Sequence, residues 1–158
     1  MIVAMYPGRF DPVTFGHIDI ARRAAQLYET VVVAVAESRS ALFSTEERVA
    51  LFAEAVADIP NVRVIANRGL TVESARDEGA IVLVKGLRDI NDFTGEIDQA
   101  FMNRKMAPDV DTTFLMTSLE HLFISASRVR ELAGFGRDVS DMTPPHVVAA
   151  LQAKFQDR

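Results

Sequence analysis

Five short apolar runs punctuate the chain. They are Ile2–Tyr6, Val31–Ala36, Val62–Ala66, Ile81–Val84 and Thr113–Met116. Each is rich in valine, isoleucine and other strand formers, and hydrophobicity within them is continuous rather than alternating. Continuous apolar strands belong to a sheet covered on both faces, which is the habit of parallel sheets. Between the runs lie stretches with helical spacing at Ile18–Leu27, Val49–Val56, Val72–Glu78, Asp92–Met106, Ser127–Ala133 and His146–Phe155. Ser44 and Glu47 have the spacing of a capping box ahead of the second stretch. Thr143-Pro144 reads as an N-cap followed by a proline at the first helical position of the last. Strand and helix alternate from end to end. The pattern predicts an α/β fold in which one doubly wound parallel five-stranded sheet carries helices on both faces.

Length and composition agree with that picture and narrow the chemistry. At 158 residues the chain fits a single domain spanning 1–158, and no linker, repeat or low-complexity tract divides it. Seventeen basic against 22 acidic residues leave a net charge of −5, so no nucleic-acid-coating face is expected, although a local basic pocket is compatible with it. No cysteine is present, which excludes disulfides, thiol nucleophiles and thiolate metal sites, and fits a cytoplasmic protein. His17, His121 and His146 are too far apart in sequence to form a zinc motif. The longest apolar run has six residues, far short of the ~20 that span a bilayer, so no membrane association is expected. The N-terminal segment has neither the basic start nor the cleavage site of a signal peptide.

In doubly wound sheets ligands gather at the carboxyl ends of the strands, next to the point where strand order reverses. Three strand ends carry unusual chemistry. After the first strand stands Tyr6-Pro7-Gly8-Arg9-Phe10-Asp11-Pro12-Val13-Thr14-Phe15-Gly16-His17. Gly8 and Gly16 permit close backbone approach, and His17 falls in the first turn of a helix, where N–H groups and the helix dipole favour a phosphate. The fourth strand ends in Lys85-Gly86-Leu87-Arg88, a point charge and a forked donor suited to phosphates. The fifth is followed by Glu120-His121-Leu122-Phe123-Ile124-Ser125-Ala126-Ser127-Arg128-Val129-Arg130, where Ser125 and Ser127 are possible helix caps or phosphate donors. Neither a Walker A loop nor a dinucleotide fingerprint is present.

The first segment resembles the TxGH signature of the nucleotidyltransferase superfamily, and the third resembles its ISSTxIR signature. Within that superfamily the chain resembles, almost end to end, the bacterial phosphopantetheine adenylyltransferase family. The likeness includes the run from Tyr6 to Ile20, Glu46-Glu47-Arg48-Val49, Lys85 to Arg88, Asp92-Phe93 with Glu96, Met102-Asn103, Phe123-Ile124-Ser125 and Asp138-Val139-Ser140.

The resemblance implies a Rossmann-like nucleotidyltransferase fold and AMP transfer from ATP to 4′-phosphopantetheine. It further implies Mg²⁺ and a homohexamer. It implies catalytic roles for His17, Lys85 and Arg88. ATP contacts fall to Arg9, Phe10, Gly16, His17, Gly86, Leu87, Arg88, Glu96, His121, Ser125, Ala126 and Ser127. Acceptor contacts fall to Arg9, Arg39, Thr71, Lys85 and Asn103. No metal ligands are assigned.

Several positions depart from the family's pattern. Arg9 stands where a serine or threonine is usual. The loop after the second strand is shortened and lacks the family's usual lysine, with Arg39 its only cation. Gly95 replaces a tyrosine, Ala126 interrupts a run of serines, and His121 with Leu122 replace an aromatic-serine pair. Thr71 takes the place of a larger apolar residue. These departures leave open a drift toward another acceptor, such as nicotinamide mononucleotide, or a silent nucleotide-binding module.

Overall fold

The computed structural model describes residues 1–156. Its elements run β1 (Val3–Gly8), α1 (Phe15–Leu27), β2 (Thr30–Ala36), α2 (Thr45–Ala55), β3 (Val62–Asn67), α3 (Thr71–Asp77), β4 (Ala80–Leu87), α4 (Ile90–Met106), β5 (Asp111–Met116), a 3₁₀ turn (Leu119–His121), α5 (Ala126–Gly134) and α6 (Pro145–Gln156). All five strands are parallel, in the order β3-β2-β1-β4-β5. The chain therefore builds outward from β1 to β3, then jumps back to lay β4 on the other side of β1. Between β1 and β4 the direction of winding reverses, and the loops beyond their ends part.

Alternation along the buried strands splits the core into two layers. Ala4, Tyr6, Val31, Val33, Val35 and Val84 face one side, beside Ile20 and Ala24 of α1, Phe52 of α2, Val129 of α5 and Leu151 of α6. Met5, Val32, Ala34 and Leu83 face the other, beside Val72 and Ala75 of α3. Burial on both faces explains why β1, β2 and β4 read as unbroken apolar runs. The edge strands β3 and β5 are only partly covered and correspondingly more polar.

Helix boundaries follow their caps. Ser44 and Glu47 form the expected capping box on α2. Asp89 accepts from the backbone N–H groups of Asn91 and Asp92, so α4 begins at Ile90, ahead of the expected start. Thr143 does not cap α6. Its hydroxyl donates to the carbonyl of Val13 at 2.6 Å, and the helix begins at Pro145. Phe52, Phe101 and Phe114 all read as core residues in the sequence; Phe52 is buried and Phe114 half-buried beside Phe93, whereas Phe101 is 66% exposed on the outer face of α4.

Candidate active site

A cleft of about 280 Å³ opens where the ends of β1 and β4 diverge. Its walls come from the β1–α1 loop, the end of β4, the middle of α4 and the start of α5. Four cations, Arg9, Lys85, Arg88 and Arg130, face two carboxylates, Asp11 and Glu96. An acidic protein thus carries a locally basic pocket, the electrostatic condition for assembling anions.

His17 is the third residue of α1, and its geometry fixes its proton. The Thr14 backbone N–H donates to His17 Nδ1 at 3.0 Å, with the Thr14 hydroxyl 3.2 Å from the same nitrogen. A backbone N–H can only donate, so Nδ1 carries no proton and the neutral ring is the Nε2–H tautomer. Thr14 in turn caps the helix by accepting from the His17 N–H. Burial, and secondarily the nearby Arg88 cation, pushes the imidazole pKa down to about 4. The ring is therefore neutral at physiological pH and carries a hydrogen-bond donor on Nε2.

The loop that holds His17 is braced from beneath. Phe10 sits at φ 49°, a region that costs a bulky residue on the order of 1–3 kcal/mol. Its ring packs edge-on against Tyr6, Phe52 and His17, with centroids 5.0, 4.8 and 5.0 Å away. A Cβ at Gly8 would lie 2.6 Å from that ring, so only glycine leaves room for it. The Asp11 carboxylate is buried and accepts from the backbone N–H groups of Leu42 at 2.8 Å and Phe43 at 3.1 Å. It also lies 3.8 Å from Arg9 and 3.6 Å from Arg130.

The basic side chains have distinct anchors. Arg9 is partly exposed and donates to the Ser40 hydroxyl at 3.2 Å, reaching across to the loop after β2. Lys85 is largely buried and pairs with Glu96 at 3.1 Å. Arg88 is gripped by both oxygens of Asp92, at 3.0 and 3.3 Å, and reaches the Ile124 carbonyl at 3.4 Å. Ser125 caps α5 by accepting from the Arg128 N–H at 3.2 Å. The Tyr6 hydroxyl lies deep in the cleft. Burial, with Asp19 and Glu96 nearby, drives its pKa upward, so it stays protonated.

Eleven of the residues singled out in the sequence line this cleft together: Gly8, Arg9, Phe10, Gly16, His17, Lys85, Gly86, Arg88, Glu96, Ser125 and Ala126. The others stand apart from it. Leu87 is buried, and its carbonyl is taken by the Thr117 N–H at 2.8 Å. Ser127 opens onto a neighbouring shallow depression with Ser40, Leu42 and Arg130. His121 lies beyond Gly16, its ring tilted 6.4 Å from that of Phe15. Arg39 is exposed in the loop after β2, Thr71 opens α3, and Asn103 is buried near the end of α4.

The structure adds partners that the sequence reading did not assign to the site: Tyr6, Asp11, Thr14 and Arg130 line the cleft, and Asp92 orients Arg88. Asp11 and Arg130 depend on contacts with residues far away in sequence. Thr14 and Asp92 had local signals, a T-x-x-H spacing at a helix start and an Arg–Asp pair four residues apart.

The cytidylyltransferase-like family pattern matches residues 5–132. The phosphopantetheine adenylyltransferase of Desulforudis audaxviator is 48% identical over 157 residues, covering 98% of this chain and 96% of its own. That of Thiobacillus denitrificans is 47% identical, covering 99% of each chain. The chain belongs to the phosphopantetheine adenylyltransferase family. A solved structure from Vibrio parahaemolyticus that bears a nicotinate-nucleotide adenylyltransferase name superposes with a TM-score of 0.74 at 15% identity, covering 100% of this chain and 98% of the other. That likeness establishes the shared fold.

Proposed function

We infer that this member of the phosphopantetheine adenylyltransferase family transfers AMP from ATP to 4′-phosphopantetheine, giving dephospho-coenzyme A and pyrophosphate. The observation that carries the reading is full-length similarity to phosphopantetheine adenylyltransferases, with 98% of the chain matched at 48% identity. The cleft supplies chemistry that fits.

An oxygen of the acceptor phosphate attacks the α-phosphorus of ATP. The bond from that phosphorus to the bridging oxygen breaks, and its electron pair leaves on pyrophosphate. A phosphate monoester is largely dianionic at pH 7, so the nucleophile needs no general base. The work left to the protein is to hold two anions in line and to stabilise charge at the α-phosphate.

In this reading His17 donates from Nε2 to the α-phosphate. Its neutral, fixed tautomer avoids reorganisation during transfer. Lys85 and Arg9 hold the acceptor phosphate, and Arg88, Ser125 and Arg130 hold the ATP phosphates. Lys85 exchanges its Glu96 contact for phosphate as the acceptor enters. Ser127 and His121 complete the nucleotide site, and Arg39, Thr71 and Asn103 the acceptor side, once both substrates extend beyond the cleft.

Asp11 is taken up by two N–H groups, and no cluster of three or more metal-ligating side chains among the described residues makes a protein cage for Mg²⁺. The ion would enter with the nucleotide and would neutralise polyphosphate charge there. Exposed Ile90, Phe101, Met102 and Met106 on α4 give the chain an apolar face suited to a homo-oligomer, which the family resemblance sets at six copies. No helix among the described residues is long and apolar enough to cross a membrane.

The test is pyrophosphate release from MgATP with 4′-phosphopantetheine, beside nicotinamide mononucleotide and a no-acceptor control. Release with phosphopantetheine alone is expected. Release with only the other acceptor moves the specificity. ATP binding without release from either makes the protein a silent nucleotide-binding module.

A further inference from the structure

We propose that Arg48, a residue of α2 outside the cleft, is the positioning residue that sets the orientation of His17. Its side chain is completely buried, and no carboxylate among the described residues comes within ion-pair distance of it. Its guanidinium is satisfied instead by oxygens from three segments. Nη1 donates to the carbonyls of Arg9 at 2.6 Å and Ala36 at 2.7 Å. Nε donates to those of Phe43 at 3.2 Å and Ser44 at 3.3 Å, and Nη2 to the Thr45 hydroxyl at 3.0 Å.

A buried charge is a costly filler for a core even with the Asp11 and Glu46 carboxylates acting on it from beyond contact distance, and an apolar side chain of similar volume would pack there with less penalty. What the guanidinium supplies and a hydrocarbon cannot is a simultaneous grip on several carbonyls. Those carbonyls end β2, precede α2 and, at Arg9, belong to the peptide that leads into Phe10.

The consequence runs along contacts. The Arg9 carbonyl is part of the peptide on which the left-handed φ of Phe10 turns. That conformation persists only where the surroundings over-determine it. The Phe10 ring it directs is the edge against which the His17 ring lies, 5.0 Å away. Thr14 separately holds Nδ1. His17 is thus set by the Thr14 N–H and by a phenyl ring whose backbone Arg48 pins. Loss of the grip lets Phe10 relax toward ordinary φ and frees the imidazole to rotate.

Part of the test rests on the transferase reading and part does not. Two-bond ¹H–¹⁵N spectra of His17 report tautomer and hydrogen bonding without any turnover. In Arg48→Lys, which keeps the charge but not the fork, the single Nε2–H pattern is expected to give way to mixed tautomers. In the same variant kcat is expected to fall about 10- to 100-fold while the dissociation constant of ATP changes less than about threefold. In Arg48→Ala, guanidinium ion at millimolar level should restore kcat where equal sodium chloride does not.

A folded Arg48→Lys protein with an unchanged His17 spectrum and unchanged kcat overturns the proposal. If Arg48 variants fail to fold, Phe10→Gly breaks the same relay one step later with Arg48 intact. An undisturbed His17 spectrum in that variant also overturns it. An inactive wild type would remove the transferase reading and leave the spectral test standing.

Discussion

The backbone N–H of Thr14 donates to Nδ1 of His17 at 3.0 Å, and this bond decides what His17 can do. With Nδ1 occupied as an acceptor, the proton sits on Nε2. The loop that begins the helix thereby converts a titratable side chain into a fixed neutral donor. Replacing His17 with Ala is expected to lower kcat by about 10²–10³, the usual loss for one preorganised donor to a developing charge. ATP affinity should fall far less, since the proposed reading shares ground-state binding among Arg88, Ser125 and Arg130. Steady-state rates beside calorimetric ATP binding separate the two effects; equal losses in both would make His17 a ground-state contact.

The low pKa gives a pH dependence with a definite sign. The folded value of about 4 lies below the ordinary histidine value of 6.5, so between these pH values the unfolded chain binds the extra proton. Stability from this group is complete above pH 6.5 and is lost as pH falls toward 4. Its ceiling is on the order of 3–4 kcal/mol, the separation of the two pKa values multiplied by roughly 1.4 kcal/mol. Denaturant melts at pH 5 and pH 7 should show that loss shrinking in His17→Gln.

Catalysis should follow a different group. The acceptor phosphate has its second pKa near 6, so the acid limb of kcat/KM is expected near pH 6. His17 remains neutral there. A pH–rate profile of His17→Gln should keep the same limb at reduced height. A limb that disappears with the histidine would instead make His17 the titrating group.

Much of this was readable from sequence, for physical reasons that differ by element. The central strands were legible because burial on both faces demands unbroken apolar runs. The β1 loop, the end of β4 and the start of α5 were legible as a site because topology alone sends those strand ends to one place. What failed was local syntax overridden at a distance. Thr143 has the form of a cap, yet its hydroxyl is taken by Val13, far away in sequence. Phe101 has the character of a core residue, yet α4 turns it outward. Arg39, Thr71 and Asn103 were joined to the site by resemblance, and their side chains lie outside the cleft because they sit on elements around its rim. Arg130 went unassigned because its role rests on where Asp11, far away in sequence, comes to lie, whereas the four-residue spacing of Asp92 from Arg88 was there to be read.

Gly8 offers a test of packing under the site. Its missing side chain is filled by the Phe10 ring, which Tyr6, Phe52 and His17 hold from other sides. Gly8→Ala would place a methyl carbon inside contact distance of an aromatic ring with little freedom to move. The expected cost is about 1–3 kcal/mol in a denaturant melt, together with a reduced kcat. Gly69, which has open space around it, is the control: a Cβ there meets nothing within 4 Å, and its alanine variant should leave kcat unchanged.

Arg9 offers the sharpest test of acceptor recognition, because it departs from the family's usual hydroxyl residue. Its guanidinium spans from the β1 loop to Ser40 and lies 3.8 Å from the buried Asp11. Half-exposed as it is, solvent screens it, so its contribution to phosphate binding should be modest. Arg9→Ser is expected to raise the acceptor KM several-fold with kcat and ATP affinity nearly unchanged, the signature of lost uniform binding. The effect should shrink as salt rises, because a partly exposed charge pair is screened within about 10 Å at 0.1 M. A lower acceptor KM in Arg9→Ser would mean that the guanidinium obstructs the pocket. Phosphate capture would then rest on Lys85, and Lys85→Met should abolish acceptor binding in both backgrounds.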